Sequence, residues 1–499
     1  MSTAPASDFN DLAVQDGPDA VRRQVDAALP PGTIAYKHTD TIKKINNDPE
    51  NGKNTDPDRR EGKSPLAPPV MAPEHLPGLL GDIVQAACAD SEAHPVAVAL
   101  HVLCWFCCAI GRGPYQRVGD AVIHARVYAL VVGKSGKARK GTAEHTPREI
   151  FRRADQLLRD QHHNHNSLRI HAGGLSSGEG VAYAIRDAQT ADDKTGKGGD
   201  PGVVDKRLLV VEPEFANVLA QVLRDGNTLS ATVRNLFDGR DIEPLTKASP
   251  VRASRPHVVL IGHITGFELR AKSTSNDAAN GLLNRFMVMH VQRPKLVPLP
   301  RSTPEDMLNN LAGRVAEAID FATGGNPQAH NCLEVSMDAA AEALWSEHYS
   351  EVSRDRAGKA GSLTARSELY GRMLAMVFAL LDGRSTIAPT DIRIALAWVE
   401  YWHQSITYVF LTGEDADELS PLCQELLALV HKRPGIKLSE VQEYKGRNLT
   451  QPVKDALQTL LGLAPPLIEM RPGEKCPGRQ PHCYYPVGRV NDRNEINDR

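Results

Sequence analysis

An apolar run, Val127 to Val132, passes without interruption into Gly133-Lys134-Ser135-Gly136-Lys137-Ala138-Arg139-Lys140-Gly141-Thr142. Few architectures place a basic glycine loop directly on the end of a buried strand. Glycines let the backbone turn tightly enough for successive N–H groups to face one anion, and the helix that follows adds its positive dipole end. The stretch therefore predicts a phosphate cradle within an α/β core. Gly133, Gly136, Lys137 and Gly141 would shape the loop, Lys140 would reach the β- and γ-phosphates of ATP, and Thr142 would hold Mg²⁺. The spacing departs from G-x-x-x-x-G-K-[ST]: Gly133 stands one residue too far from Lys140, and Arg139 takes the place of the final glycine.

Later segments point to the same edge of a sheet. Arg207 to Val211 reads as a short buried strand running into Glu212-Pro213-Glu214. Strand ends of a parallel sheet are where ligands bind, so Glu212 or Glu214 can face phosphates and Mg²⁺. His257 to Ile261 is another such strand and delivers His263 and Thr265. Glu179, in the loop Gly173 to Gly180, reads either as a carboxylate that activates water or as an acidic residue favoured at a helix start capped by Ser177. Arg285 reads either as an arginine reaching a γ-phosphate across a subunit boundary or as half of an intramolecular salt bridge.

Taken in order, the loop at 133–142, GGLSSGEG at 173–180, LLVVEPEFANVL at 208–219, GNTLSATVRNLFDG at 226–239, LTKASP at 245–250, IGHIT at 261–265 and NGLLNRF at 280–286 resemble a family of P-loop proteins of bacterial mobile elements and prophages, often associated with primase modules. The resemblance covers roughly residues 75 to 490, and it implies a RecA-like or helicase-like ATPase core. It also implies Lys140 and Thr142 as the nucleotide pair, Glu212 and Glu214 as the acids of the second motif, His263 as a polar sensor and Arg285 as an arginine finger. Glu212 departs from the aspartate usual at that place.

With 499 residues the chain has room for about three domains. Its formal net charge of −3 excludes a globally basic protein, so nucleic-acid contacts must come from local patches. Eight cysteines are too few for a disulfide scaffold. Cys104, Cys107 and Cys108 fall at helical spacing in the apolar run Val96 to Ile110 and read as core rather than as a metal site. That run carries His101 and is too short to span a membrane, and no signal peptide opens the chain, so a cytoplasmic protein is expected.

Composition divides the chain into a remnant helix at 1–30 that looks like the end of a TOPRIM module, a disordered linker at 31–73, a helical N-terminal subdomain at 74–125, the ATPase core at 126–300, a helical lid at 301–415, a winged helix at 416–490 and a tail at 491–499. The expected fold class is α/β, a RecA-like P-loop NTPase core with those helical and winged-helix additions. In the winged helix, the third helix and the turn before it bring Lys445, Arg447, Asn448, Thr450, Gln451 and Lys454 together, residue types that read base edges and phosphates.

These features favour an ATP-dependent nucleic-acid motor, a helicase-like replication protein of a phage, plasmid or integrated element. It would act on DNA with a primase or other replication protein and assemble as a homo-oligomeric ring. The alternative is a DNA-binding regulatory or defence ATPase that switches assembly state without unwinding. A small-molecule kinase, suggested by Lys140-Gly141-Thr142, leaves the lid and winged helix without purpose.

Overall fold

The computed structural model describes residues 67–487, apart from 164, 191–198, 225, 245–250, 274–280, 357, 412–420, 446–449, 463–466 and 474–481. The expected N-terminal helix, most of the linker and the tail lie outside the described residues.

Five parallel strands form the centre: β1 (Tyr128–Val132), β2 (Ile170–Ala172), β3 (Arg207–Glu212), β4 (His257–Ile264) and β5 (Met287–His290), in the spatial order β2-β3-β4-β1-β5. Every residue of β1, β3 and β4 is buried. Successive side chains of a strand point to opposite faces, so both faces of the sheet are covered, which is why these strands read as continuous apolar runs instead of alternating ones. Val131 lies opposite His263 of β4 and Met289 of β5, and Glu212 lies opposite Gly262. This register brings the C-terminal ends of β1, β3 and β4 to one edge.

The regions expected as an N-terminal subdomain and a lid share the core of the sheet. Helix α1 (Gly78–Cys88) packs on α2 (Pro95–Ile110), and α2 packs on β1, β3 and β4 with Val96 to Ile110 all buried. Its cysteines are free and inaccessible, and burial pushes the Cys107 thiol up to about 12, so they are core, as expected. Helix α3 (Thr142–Gln161) leaves the loop after β1 and packs on Glu305–Thr323. The long helix Pro389–Leu411 lies on β5 and carries the fully buried Trp398 and Trp402. The buried Tyr370 hydroxyl accepts a hydrogen bond from Tyr128 N at 3.1 Å and lies 2.6 Å from the Arg285 carbonyl oxygen. One hydrophobic cluster runs from Leu79 to Phe410. The Met and aromatic residues of the late helices are thus packing, and these helices form an outer layer of the core.

A second cluster belongs to the C-terminal unit. Helices Pro421–Lys432, Leu438–Lys445 and Thr450–Gly462 are backed by a three-stranded antiparallel sheet in which His482–Pro486 lies between Ile436–Lys437 and Ile468–Pro472. The strand Ile436–Lys437 is an addition to the sequence reading; at two residues it is too short to show periodicity. Among the described residues, no helix is long and apolar enough to cross a membrane.

Candidate functional site

The loop after β1 is held by its ends. Gly133 N donates to the Ile264 carbonyl of β4 at 3.2 Å, and a Cβ on Gly133 would lie 2.3 Å from the Val291 carbonyl oxygen, so no larger residue fits where the loop leaves the sheet. Gly136 turns through φ +62. Arg139, which stands in place of the final glycine, takes φ +51, where a glycine would be at ease. Its guanidinium is anchored 2.6 Å from Glu92, whose carboxyl is held below its usual range by the Val297 N–H and then by Arg139. Glu92 lies between α1 and α2, and nothing in the loop's own sequence points to it.

Lys140 is partly buried, and its ammonium donates to the Gly133 carbonyl at 2.5 Å and the Lys134 carbonyl at 3.5 Å. Thr142 opens α3, with its N–H on the Arg139 carbonyl at 3.1 Å. The loop borders a cleft of about 750 Å³ that Lys137, Lys140, Gly141, Thr142, Glu214, His263 and Thr265 also line. Three strand ends and a helix start meet there, as the sequence leads one to expect. A smaller apolar cavity of about 240 Å³, between Trp105, Phe151, Leu158 and Ile319, lies near the opposite end of α3 and has none of the loop's donors.

The acids divide. Glu214 is exposed and borders the cleft, whereas Glu212 is buried with Oε2 accepting from Leu175 N at 3.0 Å. As placed, Glu212 ties β3 to the loop after β2 through one of its two carboxylate oxygens, a supporting role that the strand position alone did not suggest. Glu179 also stands apart. Its Oε1 accepts from the Thr228 hydroxyl at 2.7 Å, and this bond, with backbone hydrogen bonding, lowers its pKa. The Ser177 hydroxyl oxygen accepts from Gly180 N at 3.1 Å and caps α4 (Gly178–Ala184). Glu179 thus stands as the acidic residue of a capped helix start, the second of the two readings its sequence allows, and it is not among the residues that line the cleft.

The reading of Arg285 as an arginine finger is corrected. It is 8 % exposed, and its guanidinium meets Asp238 at 2.9 Å and the Gly281 carbonyl within the same chain. Asp238 sits in the FDG turn at 237–239, too far along the chain for sequence spacing to reveal the pair.

His263 borders the cleft and is 5 % exposed. Its Nε2 lies 3.1 Å from Nε2 of His101 on α2. Burial and the nearby Lys140 ammonium push His263 down to about 4, and burial drives His101 well below the usual histidine range, so both imidazoles are neutral at pH 7. A histidine inside the otherwise apolar stretch Val96 to Ile110 was the available signal for His101.

After β4, Thr265 caps α5 (Gly266–Lys272) in a reciprocal arrangement. The Glu268 N–H donates to Thr265 Oγ1 at 3.1 Å, and Thr265 N donates to Glu268 Oε2 at 3.2 Å. Phe267 borders the cleft and, with Ala271, packs against the core of the C-terminal unit.

Of the nucleic-acid candidates, Lys445 ends one helix, Thr450 and Gln451 open the next, and Lys454 is exposed on it. Arg447 and Asn448 lie outside the described residues. No group of three or more His, Cys, Asp or Glu suited to a metal ion occurs among the described residues. No protein-family model matches the chain, and no curated protein matches it at a significant level.

Proposed function

We propose that this chain is a P-loop ATPase of RecA-like build that works on nucleic acid. The observation that supports it is the meeting of the basic loop 133–142, Glu214 and His263, from three strands of one parallel sheet, in a single cleft. In this reading the loop N–H groups and Lys140 take the β- and γ-phosphates of ATP, and Glu214 orients or deprotonates the attacking water. His263, being neutral, offers a hydrogen bond without adding charge. Mg²⁺ would be held by the Thr142 hydroxyl with Glu214 nearby, and would supply charge neutralisation.

We read the C-terminal unit as a winged helix, because three helices are followed by an antiparallel pair and the short strand after the first helix completes the sheet. DNA is the expected ligand and a primase or other replication protein the expected partner, in replication of a phage, plasmid or integrated element. The ring assembly expected from a trans-acting arginine loses that support, since Arg285 is engaged within its own chain. One observation favours the regulatory switch as a second reading: Phe267 joins the cleft to the C-terminal unit, as a switch requires. Strand displacement on forked DNA separates the two, and the motor reading expects ATP-dependent displacement. A protein that hydrolyses ATP and binds DNA but displaces no strand is the switch.

The acids supply the test of the site itself. Glu214→Gln is expected to lower the hydrolysis rate about 100-fold or more while ATP binding stays within a few fold, the pattern of a lost general base. Glu179→Gln should keep hydrolysis within about threefold, since its carboxylate is spent on Thr228. Wild-type turnover in Glu214→Gln would remove this cleft from the chemistry.

A further inference from the structure

His101 and His263 come from different parts of the chain, a helix of the first layer and the edge of β4, and their Nε2 atoms meet at 3.1 Å in a buried place. Two neutral imidazoles at that distance share one hydrogen, so one ring must donate from Nε2 and the other accept there. The two arrangements are not equivalent. If His263 donated, His101 would carry its proton on Nδ1, which is buried and has no hydrogen-bond partner. Buried N–H groups with nothing to bond are the rarest of unsatisfied polar groups, whereas a bare acceptor is better tolerated.

We propose that His101 is a positioning residue that donates from Nε2 to His263 Nε2 and so fixes His263 as the Nδ1–H tautomer, presenting a hydrogen-bond donor to the cleft. With Nε2 taken by His101, Nδ1 is the nitrogen His263 has left to offer. The donor is aimed in advance and adds no net charge, so it stabilises negative charge developing on a phosphoryl oxygen at little reorganisation cost. This role rests on the nucleotide reading of the cleft, whereas the tautomer itself does not.

The measurement is nitrogen NMR of the full chain labelled with ¹⁵N-histidine, with the His263 resonances identified by their loss in His263→Asn. Protonated and bare ring nitrogens resonate far apart, so the tautomer is read directly. The wild type and His101→Gln, which keeps an N–H donor near the place of Nε2, are expected to show His263 protonated at Nδ1. His101→Met keeps the bulk and removes the donor, and should turn His263 to the Nε2–H form. Its kcat for ATP should fall about tenfold or more, with KM within about twofold, and His101→Gln should recover most of the loss. A wild-type His263 protonated at Nε2 overturns the proposal, and that measurement needs no variant to fold. An unchanged tautomer in folded His101→Met overturns it too. A chain that shows the predicted tautomers but hydrolyses no nucleotide upholds the positioning by His101 and overturns the nucleotide reading instead.

Discussion

Lys140→Ala is expected to abolish ATP hydrolysis, with kcat lowered at least about 100-fold, and to weaken ATP binding, while the protein remains folded. The ammonium sits partly buried in the loop, 2.5 Å from the Gly133 carbonyl and within the field that depresses His263. Removing it takes away a positive charge held against the loop carbonyls and leaves phosphate to the loop N–H groups and the exposed Lys137. The fold should barely register the change, because the lost hydrogen bonds to loop carbonyls are worth about 1 kcal/mol. Circular dichroism and thermal denaturation establish folding, and phosphate release establishes turnover. A folded Lys140→Ala protein that hydrolyses ATP at the wild-type rate would sink the phosphate-loop assignment. Loss of the fold would show instead that the loop is a structural element of the sheet edge.

Arg285→Ala is expected to act on stability. The guanidinium is buried with Asp238 at 2.9 Å, packs over the Phe237 ring, and leaves Asp238 with only Arg366, 3.8 Å away, among the described ion pairs once it is removed. Stranding a partly buried carboxylate and opening a cavity should cost about 3 kcal/mol, seen as a lower midpoint in denaturant. The double variant Arg285→Met, Asp238→Leu should recover much of that loss, since an apolar pair removes both charges together. At a temperature where Arg285→Ala is still folded, its ATPase activity should be near wild type, and mixing it with Lys140→Ala subunits should add nothing. A variant of unchanged stability whose lost hydrolysis returned on mixing would restore the arginine-finger role.

What the sequence made legible were features written in consecutive residues. The strand-loop-helix passage at 127–142, the acidic end of β3 and the polar end of β4 were each readable locally, and strand order alone was needed to bring them together. The C-terminal helices were readable for the same reason, through their apolar periodicity. What escaped depended on partners distant in the chain. Glu179 and Arg285 carry the right chemistry for catalysis, yet Thr228 and Asp238 claim them, and no spacing rule links residues 49 and 47 positions apart. Glu212 was assigned by its place on the strand, but the direction of its side chain depends on Leu175 N of a neighbouring loop. His101 was visible as a polar residue in an apolar helix, and only the packing of α2 against β4 gave it His263 as a partner. The N-terminal helical subdomain and the lid were readable as helices, but the single hydrophobic cluster they share with the sheet was not. Helical pattern shows that a face is apolar without showing which layer will cover it.

Helix α5 is seven residues long, and its first turn forms wall for both the cleft and the C-terminal unit through Phe267. A shared wall gives two sites a route for coupling, and any such coupling is reciprocal. Whatever factor nucleotide contributes to the affinity of the C-terminal unit for its own ligand, that ligand must return to nucleotide binding, because the two occupancies close one thermodynamic cycle. The cap that holds Thr265 to Glu268 fixes this wall at the end that borders the cleft. On the switch reading, a displacement of Phe267 would be met by repacking against the C-terminal cluster, which Ala271 also touches, and the coupling would follow from how differently that ring packs with the cleft filled and empty.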